Sequence, residues 1–209
     1  MTESFGRARH SGQPDKGAVL DAVSVHLDRD ERLLSGIDPL LERCGCTKRD
    51  ILTTFGSVDD FLVALAGRYA DQLTDLLRPG DIRALDVARD VLKQFGLAAW
   101  KNYTTTLVGL VRLIIAEGAR SQNLRDRVYE AGPTRVSKAL CEFLAHARDS
   151  GVLDIADPSL ATEQLMGVLR EPLYQALLLH PMAEAAAERT DIVAAAIDLF
   201  LDGCAGRRS

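Results

Sequence analysis

Lys48 and Arg49 stand directly after Thr47 and a Cys44-Gly45-Cys46 turn, with Ile51, Leu52 and Phe55 behind them. A Thr that opens a short helix caps it by accepting a hydrogen bond from a first-turn backbone N–H, which sets the two cations in that first turn. An Arg so placed can offer two parallel donors to the O6 and N7 edge of guanine. Thr47, Thr53 and Thr54 add hydroxyls suited to phosphate oxygens, and Arg43 adds a cation at the end of the preceding segment. The chemistry is recognition of a polyanion, with Ile51, Leu52 and Phe55 as the anchoring side of the helix. Thr47, Lys48, Arg49, Thr53 and Thr54 form the outward side. The solvated face of an ordinary short helix has the same residue types, and composition alone leaves both readings open.

Nothing comparable points to catalysis. No Ser, Cys or His lies in a nucleophile motif, no Gly-rich phosphate loop occurs, and His10, His26, His146 and His180 are scattered without metal-ligand spacing. Glu163 and Glu171 are lone carboxylates of a long helical segment. Cys44 and Cys46 are closer than the usual two-residue ligand spacing, and with Cys141 and Cys204 they read as partly buried packing. The chain is expected to be no enzyme and to need neither cofactor nor metal.

The elements that must position these residues are helices. Gly and Pro punctuate the 209 residues, the intervals are rich in Leu, Ala, Val, Arg and Glu, and no alternating β-branched run occurs. Over 58–77 the residues Phe61, Leu62, Leu65, Tyr69, Leu73 and Leu76 recur at three and four, the period of a one-sided helix, and Ser57 with Asp60 resembles a capping box. By the same test 81–95, 104–117, 124–149, 157–179 and 183–204 are helices, with Pro133 and Pro172 ending or kinking two of them. Shorter ones run over 18–27, 37–43 and 47–55. Two short helices around a Gly-containing turn outline a helix-turn-helix.

The expectation is therefore an all-α protein of about nine helices, with a three-helix head and a larger C-terminal bundle. Residues 1–15 form a loose arm, 16–60 the helix-turn-helix head and 61–209 the body. No apolar run is long enough to cross a membrane, and the first residues lack a basic segment leading into an apolar run with a small-residue cleavage site, so no export is expected. A cytoplasmic location is expected.

Charge works against a nucleic-acid role. Residues 1–60 hold eight Lys and Arg against eleven Asp and Glu, a balance of −3. Phosphate neutralisation supplies much of the free energy of DNA binding, so Arg43, Lys48 and Arg49 near the groove face, with Arg7, Arg9 and Lys16 in the arm, must compensate. Asp50 opposes them.

The run from Leu40 through Leu41, Cys44-Gly45-Cys46-Thr47-Lys48-Arg49 and Ile51 to Phe55-Gly56-Ser57 resembles the DNA-binding head of the tetracycline-repressor (TetR) family. Val19-Leu20-Asp21-Ala22 is similar to the start of that family's first helix. Leu113-Ile114-Ile115-Ala116-Glu117, Tyr129-Glu130-Ala131-Gly132-Pro133, Gly151-Val152-Leu153 and Asp157-Pro158 resemble the ligand-binding half of its AcrR-like branch. The chain departs from the pattern at Leu52, where the family carries a backbone-contacting Tyr, at Glu31 in place of Gly, and at Leu27 in place of an aromatic. Pro39 falls in the first turn of its helix, where its missing N–H has no partner to lose.

The resemblance implies a repressor that binds an operator in duplex DNA as a homodimer and is released by a small, mostly apolar effector. It implies an effector pocket in the body, for which Phe95, Trp100, Tyr103, Leu107, Tyr129, Met166 and Tyr174 are the candidate lining. Trp100 and Tyr103 are favoured because they fall between helices, and His180 reads as a helix end. Such residues at helical spacing are more often those of a core. The last two long helices, Ala- and Leu-rich on wide faces, are the expected dimer contact. The alternative is a protein of the same fold whose acidic head no longer binds DNA and which serves as a ligand- or protein-binding module.

Overall fold

The computed structural model describes residues 15–27, 36–78, 82–104, 106–118, 121–178 and 190–204, the side chains of 122 and 172–178 excepted. Among these residues every regular element is helical: α1 (Lys16–Leu27), α2 (Ile37–Arg43), α3 (Lys48–Phe55), α4 (Val58–Leu76), α5 (Leu85–Thr104), α6 (Thr106–Gly118), α7 (Gln122–Tyr129), α8 (Arg135–Asp149), α9 (Pro158–Leu178) and α10 (Thr190–Cys204). A π-helical turn, Glu130–Thr134, joins α7 to α8 without a break. The protein is all-α.

Short polar side chains start the helices. Ser57 Oγ accepts from Asp60 N–H at 3.0 Å, Ser121 Oγ from Leu124 N–H at 3.3 Å, and Asp157 Oδ1 from the N–H groups of Ser159 and Leu160 at 2.9 and 3.2 Å. Each satisfies donors that a first turn leaves without an intrahelical partner. Asp15 belongs with them: Ala18 N–H donates to its Oδ2 at 3.0 Å, so it caps α1 where the sequence ends a loose arm. The rest of that arm, with Arg7 and Arg9, lies outside the described residues.

One expected helix end, at Phe95, and the expected proline interruptions at Pro133 and Pro172 fall inside continuous helix. The sequence ends a helix at Phe95, yet α5 continues to Thr104 and carries Trp100 and Tyr103 inside it. Gly96 is there for packing: a Cβ at this position would stand 2.8 Å from Val193 Cγ1, so its absence lets α10 close on α5. At Pro133 the chain widens by one π turn, which accommodates the missing N–H and the ring's clash with the preceding turn. The helix α9 likewise runs past Pro172. Residues 183–189 of the last expected helix lie outside the described residues.

Two apolar clusters hold these helices. One joins α1 to α4 with α6 and α7, through Val23, Leu40, Ile51, Phe61, Leu62, Leu113 and Leu124. The other joins α5, α8, α9 and α10, through Leu92, Phe95, Leu140, Phe143, Leu165 and Ile197. Helix α4 serves both: Phe61 to Tyr69 pack in the first cluster, and Ala70, Leu73 and Leu77 in the second. Burying a side chain such as Phe61 or Phe95 contributes about 1.5–3 kcal/mol, so the long α4 is the rod on which the two halves are assembled.

Ion pairs tie the periphery. Asp198 of α10 accepts from Lys93 at 3.1 Å and from Arg89, both on α5, and the Lys93 contact, followed by that of Arg89, holds its carboxyl below the usual aspartate range. Asp60 is lowered by Ser57 and then Arg127, and Asp50 by Thr47. A carboxylate whose folded pKa is depressed stabilises the fold above its unfolded value, about 3.9, and that contribution disappears as pH falls through the folded value. The melting temperature should hold between pH 7 and 5 and fall below about pH 4. Circular dichroism melts of the native chain and Asp198→Asn should differ at neutral pH and converge in acid; a gap that persists unchanged at low pH contradicts the assignment.

Candidate nucleic-acid interface and ligand cavity

The helix α3 begins with a reciprocal cap. Asp50 N–H donates to Thr47 Oγ1 at 3.2 Å, while Asp50 Oδ2 accepts from Thr47 N–H at 2.8 Å and from Thr47 Oγ1 at 2.7 Å. The carboxylate that the sequence sets against DNA phosphates is thus committed to Thr47 and to the positive end of the helix dipole. Lys48 and Arg49, between Thr47 and Asp50, are exposed. Lys48 Nζ lies 3.9 Å from Asp38 Oδ1, both side chains largely in water, an ion pair of a kind that contributes little.

Helix phase corrects two residues of this face. Ile51 is fully buried and Thr54 only 4% exposed, whereas Leu52 is 47% exposed. The inner stripe is Ile51, Thr54 and Phe55, with Phe55 edge-on to Phe61 at 5.1 Å between ring centroids. Thr54 therefore faces the head's interior and cannot contact a phosphate, and Leu52 lies on the outer face where an anchor was expected. Thr53 is exposed and its Oγ1 donates to the Arg49 carbonyl at 2.8 Å. Arg43 is exposed at the end of α2.

Thr54 Oγ1 is buried without a hydrogen-bond partner among the described residues. Thr54→Val keeps the shape and removes the desolvated hydroxyl, so it should raise stability by about 1 kcal/mol. A denaturant melt checks this, and a drop in stability would show the hydroxyl to be engaged after all.

The head is fastened to the body by a contact spanning 80 residues of sequence: Ile37 N–H, at the start of α2, donates to Glu117 Oε1 of α6 at 3.2 Å. Gly36 stands before it with φ near 100° and supplies no side-chain cap, so α6 does. Asp60 pairs with Arg127 of α7, and Ser121 Oγ donates to Asp59 Oδ2 at 3.1 Å.

Behind this junction lies a cavity of about 230 Å³. The helices α4, α6, α8 and α9, the ends of α5 and α7 and the π turn line it, and its wall is mostly carbon, with Tyr69, Tyr103, Tyr129, Ser137 and Arg170 the polar side chains among the lining residues. Tyr129, 62% exposed, stands at the mouth. Widening the helix at Glu130–Thr134 brings Gly132 and Pro133 to the wall, with Gly132 close against Ala66.

Residues 90–203, more than half the chain, match the family model for the C-terminal domain of AefR-like transcriptional repressors, a TetR-type domain. The chain belongs to the TetR family of transcriptional regulators. Its fold is similar to that of a protein assigned to the TetR family from Mesorhizobium loti (18% identity, TM-score 0.65, covering 91% of this chain and 96% of the other). It is also similar to a TetR regulator from Agrobacterium tumefaciens (21%, 0.62, 92% and 94%). A third likeness is to SmeT, repressor of the Stenotrophomonas maltophilia multidrug efflux pump SmeDEF (16%, 0.61, 94% and 93%). At these identities the likeness is one of fold. No curated protein matches the chain in sequence.

In this TetR-family body Tyr103, Leu107, Tyr129 and Met166 stand in the cavity wall. Phe95 and Trp100 do not: Phe95 is fully buried, Trp100 is 6% exposed, and both pack in the core between α5, α9 and α10. Placing Trp100 between helices was the error, since α5 continues through it and turns it inward. The side chains of Tyr174 and His180 lie outside the described residues. Sequence reasoning missed Ser137, Arg170 and Glu117. Arg170 was readable as a cation four residues after Met166 on the buried stripe of α9, whereas Glu117 left no local signal.

The cysteines are free and half-buried. Burial, and then the neighbouring Cys46, pushes the Cys44 thiol up to about 11, and burial also raises Cys46. Both stay protonated, the form that neither attacks nor binds metal readily.

Proposed function

We propose that the protein is a ligand-responsive repressor that binds operator DNA as a homodimer and lets go when a small, mostly apolar effector enters the cavity. Residues 16–60 serve as the DNA-binding head and 61–209 as the body for effector and dimer. Lys48 and Arg49 read base edges, while Thr47, Thr53 and Arg43 hold the phosphate backbone. The acidic balance of the head is less hostile than its count, since Asp50 is held by Thr47, Asp21 by Arg68 and Asp60 by Arg127. The protein works in the cytoplasm, where its operator is.

The observation that carries this reading is a shared wall. Ala66, Tyr69, Leu110 and Ile114 belong both to the apolar cluster under the head and to the lining of the cavity. An occupant that displaces α6 moves Ile114 and, one turn on, Glu117, against which α2 is capped. Packed interfaces of this kind switch between discrete arrangements and do not stretch.

Outward residues of α9 and α10 supply the dimer contact: Leu160, Val168 and Leu199 are 51%, 57% and 76% exposed in the single chain. Titration of the purified protein against its own upstream DNA, at low and moderate salt, tests the proposal. Selective binding that weakens steeply with salt supports it; indifference to that fragment and to random duplex at low salt refutes it.

A further inference from the structure

Among the described residues that line the cavity, Arg170 is the one charged side chain. Its Nε donates to the Met166 carbonyl one turn back on α9 at 3.2 Å, which fixes the guanidinium at the wall and leaves its other N–H donors uncommitted by that bond. No described carboxylate pairs with it within ion-pair distance, in a protein whose other cation-to-acid contacts include Arg89, Arg127 and Arg135. Ser137, from α8, lines the same space.

A half-buried cation at the edge of an apolar cavity keeps its water until something displaces it. A neutral apolar occupant strips that water and returns nothing, whereas a carboxylate replaces it with charge-assisted hydrogen bonds in the fork geometry Arg favours. The remaining wall asks for carbon. The cavity, about 230 Å³, suits a carbon body of modest size, such as a single arene on a short chain or a medium-length acyl chain. A phosphate monoester carries up to two charges, whereas Arg170 is the one cation of the described wall.

We infer that the effector is an amphipathic monocarboxylic acid, its carboxylate held by Arg170 with Ser137 beside it and its apolar body between α4, α6 and α8. The inference rests on the cavity being the effector site. It is tested by calorimetric titration of the purified full-length protein, without DNA, using octanoate and 3-phenylpropanoate beside the alcohols of the same carbon skeletons.

The acids should bind about 10- to 100-fold more tightly than their alcohols, the range of a charged hydrogen bond. Arg170→Gln should abolish that preference while leaving alcohol affinity in place, and Arg170→Lys should retain part of it. Equal binding of acid and alcohol overturns the inference. So does an acid preference that survives in Arg170→Gln, or failure of both acids to bind the native protein. Melting curves of both variants establish that they fold. A parallel gel shift separates the two levels: Arg170-dependent acid binding with no effect on DNA leaves the ligand class standing and removes the effector role. DNA release by an uncharged compound, with no acid bound, does the reverse.

Discussion

Replacing Lys48 and Arg49 together by Ala should leave a folded dimer that no longer distinguishes its own upstream DNA from random duplex. Both side chains are exposed and outside the apolar cluster, and the α3 cap made by Thr47 and Asp50 does not involve them. The melting temperature should therefore scarcely move. Binding should move a great deal. A bidentate Arg contact to guanine discriminates by about 1–3 kcal/mol, a phosphate contact by Lys adds a non-selective share, and each is present twice in a dimer. The combined loss is about 100-fold or more in affinity for the specific site, with a flatter dependence on salt. Polarisation titrations of native and variant protein at two salt concentrations measure both. If the variant binds as the native protein does, α3 is not the recognition helix. Thr54→Val serves as the counterpart: it lies on the same helix but faces inward, and it should leave DNA affinity untouched.

A single Leu199→Glu exchange should convert the protein to monomers at micromolar concentration. Leu199 is 76% exposed on α10, and Leu160 and Val168 are exposed on α9, apolar side chains that a dimer built on these two helices would cover. Across a two-fold axis the same substitution occurs twice. A buried, unpaired carboxylate costs about 3–5 kcal/mol, so the pair raises the dimer dissociation constant by about 10⁴-fold or more. Light scattering coupled to size exclusion reads the mass directly. DNA affinity should fall in parallel, because one head engages one half-site. A native protein that elutes as a monomer, or a Leu199→Glu variant that stays dimeric, would remove this face from the dimer contact.

What could be read without coordinates was local. Thr47 before Lys48, Ser57 three residues before Asp60 and Asp157 before Pro158 are helix starts whose hydrogen bonds close within three residues, so their chemistry is complete in the sequence. The long period of α4 also averages over five turns and leaves one possible inner face. The eight-residue α3 does not. With Ile51 and Leu52 adjacent and both apolar, either could anchor it. Only packing in the head's apolar cluster, with Phe55 against Phe61 of α4, turned Ile51 and Thr54 inward and Leu52 outward.

The rest depended on separation along the chain. The helix that the sequence ends at Phe95 runs on through Gly96, where α10 needs the space, and Pro133 reads as a kink until a π turn absorbs it. Glu117 meets Ile37 across 80 residues, and Arg170 reaches a cavity whose other walls come from α4, α6 and α8. Helix type and local capping follow from interactions between near neighbours, so the sequence by itself determined the all-helical class, the helix-turn-helix and the helix starts at Thr47, Ser57 and Asp157. Which face of each helix is buried, and what two distant helices enclose between them, is set by packing of the whole chain. The tertiary structure alone therefore decided the outward surface of α3, the contact by which α6 caps the head, and the composition of the cavity wall.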